Sequence, residues 1–259
     1  MWKERLKKGI AVLVLITLVP YIITIFIQGV GKRKEREDIR EEGICRLAQE
    51  LSEEYEDEML YVQAILVRTS ILREKKEGTY TATDYRGRIS GAFRRRLGNA
   101  WDNTAGMVLT YNGEPILAPF HQLSNGRTRN GKDVLGNPEF SYLQSVNCPK
   151  DVASNEQIGT LLLDVEDVKI VSKDKKGYVT EVMIGEETCS GEKFRDVYHV
   201  QSADFELYEA GEQTRVVTHG IGHGLGLSQH TANEMAKEGK TKEEILLYFF
   251  KDVKIEKKE

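Results

Sequence analysis

The chain predicts an α+β fold: an N-terminal transmembrane helix, then helices packed on mostly antiparallel β-structure, with a C-terminal helical pair. Three observations carry this. Residues 10–27 are almost wholly apolar, helical periodicity dominates from about 44 to 76, and short β-type runs begin near Gly106 before helical pattern returns after Ser228. At 259 residues, 40% hydrophobic and 30% charged, the chain is globular rather than disordered in composition.

The apolar run Ile10–Ile27 is broken only by Thr17, Pro20, Tyr21 and Thr24, and basic residues flank it. It is long enough to span a bilayer core, which takes about 20 residues. A cleavable signal peptide is the rival, but Gln28-Gly-Val-Gly31 is a poor cleavage site. The expected division is therefore an anchor with a short cytoplasmic tail over 1–31, a charged juxtamembrane stretch over 32–42 read as solvated helix or linker, and a domain over 43–259 outside the cytoplasm. Removing the +3 of the N-terminal tail from the net charge of −4 leaves −7 on the remainder. That balance argues against nucleic acid as a partner. Arg94-Arg95-Arg96, the one basic run in the domain, reads as a solvated helix face.

Ile44, Leu47, Ala48 and Leu51 share one face of a short helix. Glu56, Asp57 and Glu58 open a second, which Arg73, Lys75 and Lys76 close, charges that complement the helix dipole. Its body is apolar on most sides, so it is buried. The β-type runs are Met107–Tyr111, Pro115–Phe120, Gly159–Val165, Val168–Ser172, Tyr178–Ile184, Phe205–Leu207 and Arg215–Thr218, with hairpin-type turns at Asn112-Gly113 and Lys176-Gly177. A helix from Ser228 or Gln229 stops at Gly239, and Thr241-Lys-Glu-Glu244 is a capping box for the last helix, through Phe250.

Between them, Thr218–His230 alternates Gly220, Gly222, Gly224 and Gly226 with His219, Ile221, His223 and Leu225. Glycine at every second position lets a backbone approach a ligand or another strand closely. A tight hairpin feeding a helix is the plainer alternative.

Arg68 is a guanidinium inside an apolar helix and must find a carboxylate or a bound anion. Glu50, one helical segment earlier, is a candidate to fold back to it, as a structural ion pair or as part of a site. Glu50 has apolar neighbours that raise a carboxyl pKa, which suits a general acid. The loop Phe120-His-Gln-Leu-Ser-Asn-Gly-Arg-Thr128 suits sugar hydroxyls or plain turn chemistry, making His121 and Ser124 candidate contacts. His223 and Gln229 are similar candidates, and Ser228 either joins them or caps the following helix. His219 and His223 have metal-ligand spacing only on a helix, which Gly-Ile-Gly between them disfavours. Cys45, Cys148 and Cys189 imply no disulfide framework and no zinc ribbon, so no metal or other cofactor is expected.

Gly222-His-Gly-Leu-Gly-Leu-Ser-Gln229 with Ala232, Met235-Ala236, Gly239 and Glu244-Ile-Leu246, together with Ala48-Gln-Glu-Leu51, Glu58–Ala64 and Arg68-Thr69, resembles the stage II sporulation protein D family, which includes amidase-enhancer proteins. Further matches between these blocks extend the resemblance over roughly residues 40 to 255. It implies a lytic transglycosylase acting on peptidoglycan glycan strands during engulfment, alongside an amidase and a polytopic membrane scaffold. It implies Glu50 as the catalytic acid, with Arg68 orienting it or binding substrate, and His121, Ser124, His223, Ser228 and Gln229 along the cleft. A non-catalytic, amidase-stimulating wall-binding module is the alternative. Some members are thought to hold zinc through Cys and His near the Phe-His loop, where this chain has His121 but no nearby Cys. Two departures fall in presumed cleft segments: His230-Thr-Ala232 follows Ser-Gln, and Ser124-Asn-Gly126 replaces a more usual Ser-Gly-Gly.

Overall fold

The computed structural model describes residue 31, residues 34–83, residue 85 and residues 87–258. The apolar run Ile10–Ile27 lies outside these, and no helix among the described residues is long and apolar enough to cross a membrane. The described chain is α+β.

Helix α1 covers 34–50 without a break, so the charged stretch at 34–42 is helical and continuous with Ile44–Leu47. It is also packed. Glu42 is buried, accepts from Arg46 Nε at 2.6 Å and from the Thr83 amide at 2.9 Å, and Arg40 forks onto Asp102. A Cβ at Gly43 would sit 2.2 Å from the Trp101 ring, so this crossing needs glycine.

Helix α2 (Asp57–Glu77) is the spine of the first core. Ten of its residues from Met59 to Ile71 are buried, and Gly78 ends it in the left-handed region at φ 72°. It packs on α3 (Gly91–Asn103), opened by Ser90 whose hydroxyl accepts from the Phe93 amide at 3.1 Å. Next come β1 (Met107–Tyr111), β2 (Glu114–Pro115) and β3 (Phe120–His121). Asn112 and Gly113 both have positive φ, 53° and 82°, as a type I′ hairpin demands. The run expected over Pro115–Phe120 is not one strand; only its two ends pair.

Short helices α4 (Gly131–Leu135) and α5 (Pro149–Val152) lead to a second module. Its strands are β4 (Ile158–Leu163), β5 (Val168–Lys173), β6 (Val179–Ile184) and β7 (Glu187–Ser190), then helix α6 (Gly191–Tyr198), β8 (Phe205–Ala210) and β9 (Gln213–His219). They form two antiparallel sheets, β4-β9-β8 and β5-β6-β7, around Leu163, Val179, Val182, Phe194, Phe205 and Val216.

The chain then returns to the first core through β10 (Leu227–Ser228), α7 (Gln229–Lys237) and α8 (Lys242–Phe249), the last opened by the expected capping box at Thr241 and Glu244. A final strand, β11 (Lys254–Lys257), pairs antiparallel with β1, Thr110 opposite Lys254, to give the order β11-β1-β2. The polar sequence Lys-Ile-Glu-Lys carries no apolar alternation, and its pairing with β1 is what makes it a strand.

Candidate functional site

The alternating glycines form a closely packed seam. Gly220, Gly222, Gly224 and Gly226 all have positive φ, between 71° and 108°. A Cβ at Gly226 would lie 2.0 Å from the Pro119 carbonyl oxygen, and one at Gly222 2.7 Å from His121 Cβ. This lets residues 220–228 run against 119–124, bridged at Leu123–Ile221 and by the parallel pair β3–β10, with Ser228 opposite His121. The close-approach reading holds, and the segment is not a simple hairpin.

That seam fixes the histidines. His121 Nδ1 donates to the Leu225 carbonyl at 3.0 Å, while the Leu225 amide donates to His223 Nδ1 at 3.0 Å, so one residue's backbone sets opposite tautomers in two rings 5.8 Å apart. Burial pushes His121 down to about 3, keeping it neutral, and also lowers His223. His121 is 4% exposed and its buried Nε2 has no partner among the described residues.

Beneath the seam lies Asp151, which the sequence reading did not single out. It has no exposed surface, and four donors meet its carboxylate: Ser124 N (2.8 Å) and Oγ (2.6 Å) on one oxygen, Ser228 Oγ (3.0 Å) and Thr231 Oγ1 (2.6 Å) on the other. Four donors satisfy both buried carboxyl oxygens, which offsets the cost of taking them out of water. Ser228 also accepts from the Thr231 amide at 3.3 Å as N-cap of α7.

These contacts correct several expectations. Ser124 and Ser228 have no exposed surface and spend their hydroxyls on Asp151, so they build the scaffold and do not face a ligand. Gln229, 4% exposed, is likewise internal; its Nε2 donates to the Glu50 carbonyl at 3.4 Å, tying the end of α1 to α7. His121 points inward too. The surface is made by neighbours: Gln122 follows His121 on extended chain, and His230 follows Gln229 in the first turn of α7. A groove of about 620 Å³ is lined by Gln122 and His230, with Ser52, Tyr55, Lys150 and Asn233 among its other walls.

Arg68 also differs from expectation. Its Nη1 donates to the Thr104 carbonyl at 2.7 Å and Nη2 to the Trp101 carbonyl at 2.7 Å, and the guanidinium stacks on the Trp101 ring at 4.0 Å. Arg68 therefore caps the C-terminus of α3 with a half-buried cation, whose pKa desolvation lowers to about 10. Helix-end carbonyls take the place of the expected carboxylate, and no hydrogen bond or ion pair joins Arg68 to Glu50.

Glu50 closes α1, two residues before Ser52 at the groove wall. Its side chain is exposed, yet surrounding protein raises its pKa, and desolvation is the sole cause. No cation or hydrogen-bond donor offsets that rise among the described residues. For metal, no group of three or more His, Cys, Asp or Glu side chains is placed to hold an ion among the described residues, and all three cysteines are free, Cys148 fully buried. The donor set does not fit a zinc centre.

Residues 45–111, which hold Glu50 and Arg68, match the family model described as Stage II sporulation protein. The chain is 34% identical over 176 residues to Stage II sporulation protein D of Bacillus subtilis (strain 168), an alignment covering 62% of this chain and 51% of that protein. The protein of the same name from Bacillus amyloliquefaciens is 31% identical over the same extent. Over these stretches the chain is similar to the stage II sporulation protein D family. The chain spans about half the length of the curated proteins it matches. The glycine seam lies outside the family-model match, so its place beside the groove rests on the structure.

Proposed function

We propose that this protein is a lytic transglycosylase that cleaves the bond between N-acetylmuramic acid and N-acetylglucosamine in peptide-stripped glycan strands, with Glu50 as its acid. The observation that carries this is the Glu50 carboxyl, raised by desolvation, two residues before Ser52, which lines a groove of about 620 Å³. A carboxyl in that state holds its proton nearer to neutral pH. Glycosidases normally use two carboxyl groups. Here one suffices, because the substrate supplies the nucleophile. Glu50 gives its proton to the glycosidic oxygen as the C1–O bond breaks. The resulting carboxylate takes the proton of the muramyl 6-hydroxyl as that oxygen bonds to C1, closing a 1,6-anhydro ring and regenerating the acid.

On this reading Arg68 acts on the fold, and Gln229 positions Glu50 by holding the α1 end. The apolar run Ile10–Ile27 would anchor the chain so that the domain works outside the cytoplasm on wall from which an amidase partner has removed peptides, in an assembly with a polytopic membrane scaffold. The test is to incubate the purified chain with peptide-stripped strands and read products by mass spectrometry. Anhydro-muramyl ends from the parent and none from Glu50→Gln support the proposal. No ends from either, with glycan binding and amidase stimulation retained, would move the reading to a non-catalytic wall-binding module.

A further inference from the structure

A second pocket of about 480 Å³ adjoins the groove, sharing Ser154 and Asn155 with it. Its polar wall is Asn125, Gln157, Asp204 and His219, and its lip is Val152 and Ile158. Those two apolar side chains are 57% and 63% exposed, among the most exposed large hydrophobics of the described residues. An apolar lip over convergent polar groups is the usual composition of a small-ligand site, and the size falls in the usual range of roughly 300–1,000 Å³.

The wall is held rigidly. Asn125 Nδ2 donates to Asp204 Oδ2 at 2.6 Å and to the Lys176 carbonyl at 2.8 Å. Asp204 Oδ1 has no hydrogen bond among the described residues, only Lys173 Nζ at 4.0 Å. The Gln157 amide nitrogen, oriented to satisfy its neighbours, reaches the Asp151 carbonyl at 3.0 Å and the Ser124 carbonyl at 3.1 Å. The pocket therefore stands on the same Asp151 scaffold as the groove.

The lining contains no Lys or Arg and one carboxyl, which disfavours an anionic occupant. Hydroxyl and amide hydrogens suit Asp204 Oδ1, and a methyl or sugar face suits Val152 and Ile158. We infer that this pocket is a second saccharide subsite, taking an uncharged acetamido sugar of a strand whose next units occupy the groove beside Tyr55 and Gln122. This rests on the glycan reading above and deepens it: the carboxyl-bearing sugar is excluded here, which sets the strand's register over Glu50.

The experiment uses the full chain carrying Glu50→Gln, so that nothing is cleaved, titrated with β-1,4-linked N-acetylglucosamine hexamer and dimer, alone and with Ile158→Asp or Asp204→Asn. Leu247→Asp, at an exposed position of α8, is the control for a surface charge. The hexamer is expected to bind about tenfold more weakly to Ile158→Asp and Asp204→Asn, a loss of about 1.4 kcal/mol, with the control unchanged. Amide shifts at 152–158 and 204 should accompany hexamer binding to the parent. Equal hexamer affinity in all variants, with shifts confined to the groove, would overturn the subsite and leave the glycan reading standing. No binding of either oligomer to the parent, and no anhydro product from the unmutated chain, would overturn both.

Discussion

At the residue scale, the desolvation that suits Glu50 to acid chemistry has a cost whose sign can be worked out. Desolvation raises its folded pKa above the unfolded value near 4.5, so the folded state binds the proton more tightly. Below about pH 4 both states are protonated and the group is neutral to stability. As pH rises through the folded pKa, the folded state must hold an unfavourable carboxylate and stability falls. Glu50→Gln should therefore be more stable than the parent at about pH 7, with the difference closing near pH 4. Urea midpoints at the two pH values check this, and an equal gap at both would refute it. Asp151 is buried, and four donors meet its carboxyl oxygens. Asp151→Ala should cost about 3 kcal/mol or more, since the orphaned hydroxyls and amide lose their acceptor as well. Loss below about 1 kcal/mol in the same titration would mean water replaces it.

At the element scale, the end of α3 depends on Arg68, which feeds two of its terminal carbonyls and stacks on Trp101. Arg68→Ala should destabilise the fold by about 2 kcal/mol. Activity per folded molecule should be kept, whereas a catalytic role would abolish it with the fold intact. Gly226→Ala, with Cβ aimed 2.0 Å from the Pro119 oxygen at φ 71°, should cost at least about 2 kcal/mol and separate β3 from β10. Thermal denaturation with activity assay measures both.

These elements also show what sequence can carry. Helix α2 was legible because a long apolar run flanked by acidic and basic ends admits no other placement, and the β1–β2 turn because Asn-Gly is suited to that geometry. Arg68 was legible as a cation needing partners, but helix-end carbonyls bear no charge that marks them in a sequence. Asp151 and β11 were silent for a related reason. Their states are created by partners distant in the chain, and an Asp in Pro-Lys-Asp or a Lys-Ile-Glu-Lys tail has no local signature of them. His121 and Gln229 face inward: the motif was visible in the sequence while the direction of each side chain was not.

At the scale of the molecule, two hydrophobic cores are joined at a few places, and Arg129 is one of them. Its amide donates to the Gly224 carbonyl at 2.7 Å, while its 5% exposed guanidinium reaches Glu192 of α6 (2.5 Å) and Asp174 between β5 and β6 (3.3 Å) over the Tyr178 ring. Both carboxylates belong to the second module, so the cation works as a clasp on it. Asp174 and Glu192 keep a quarter to a third of their side-chain surface in water, which lowers the penalty of unpairing them. Arg129→Met should therefore cost about 2 kcal/mol, less than a fully buried pair would. The loss should be uneven. Amides of β5, β6 and α6 should exchange faster with solvent, while those of α2, whose core does not include the clasp, keep their protection. Hydrogen exchange read by mass spectrometry decides it: a uniform rise across α2 and the second module would show that the two cores unfold as one cooperative unit, and that Arg129 stabilises the whole and not one face of it.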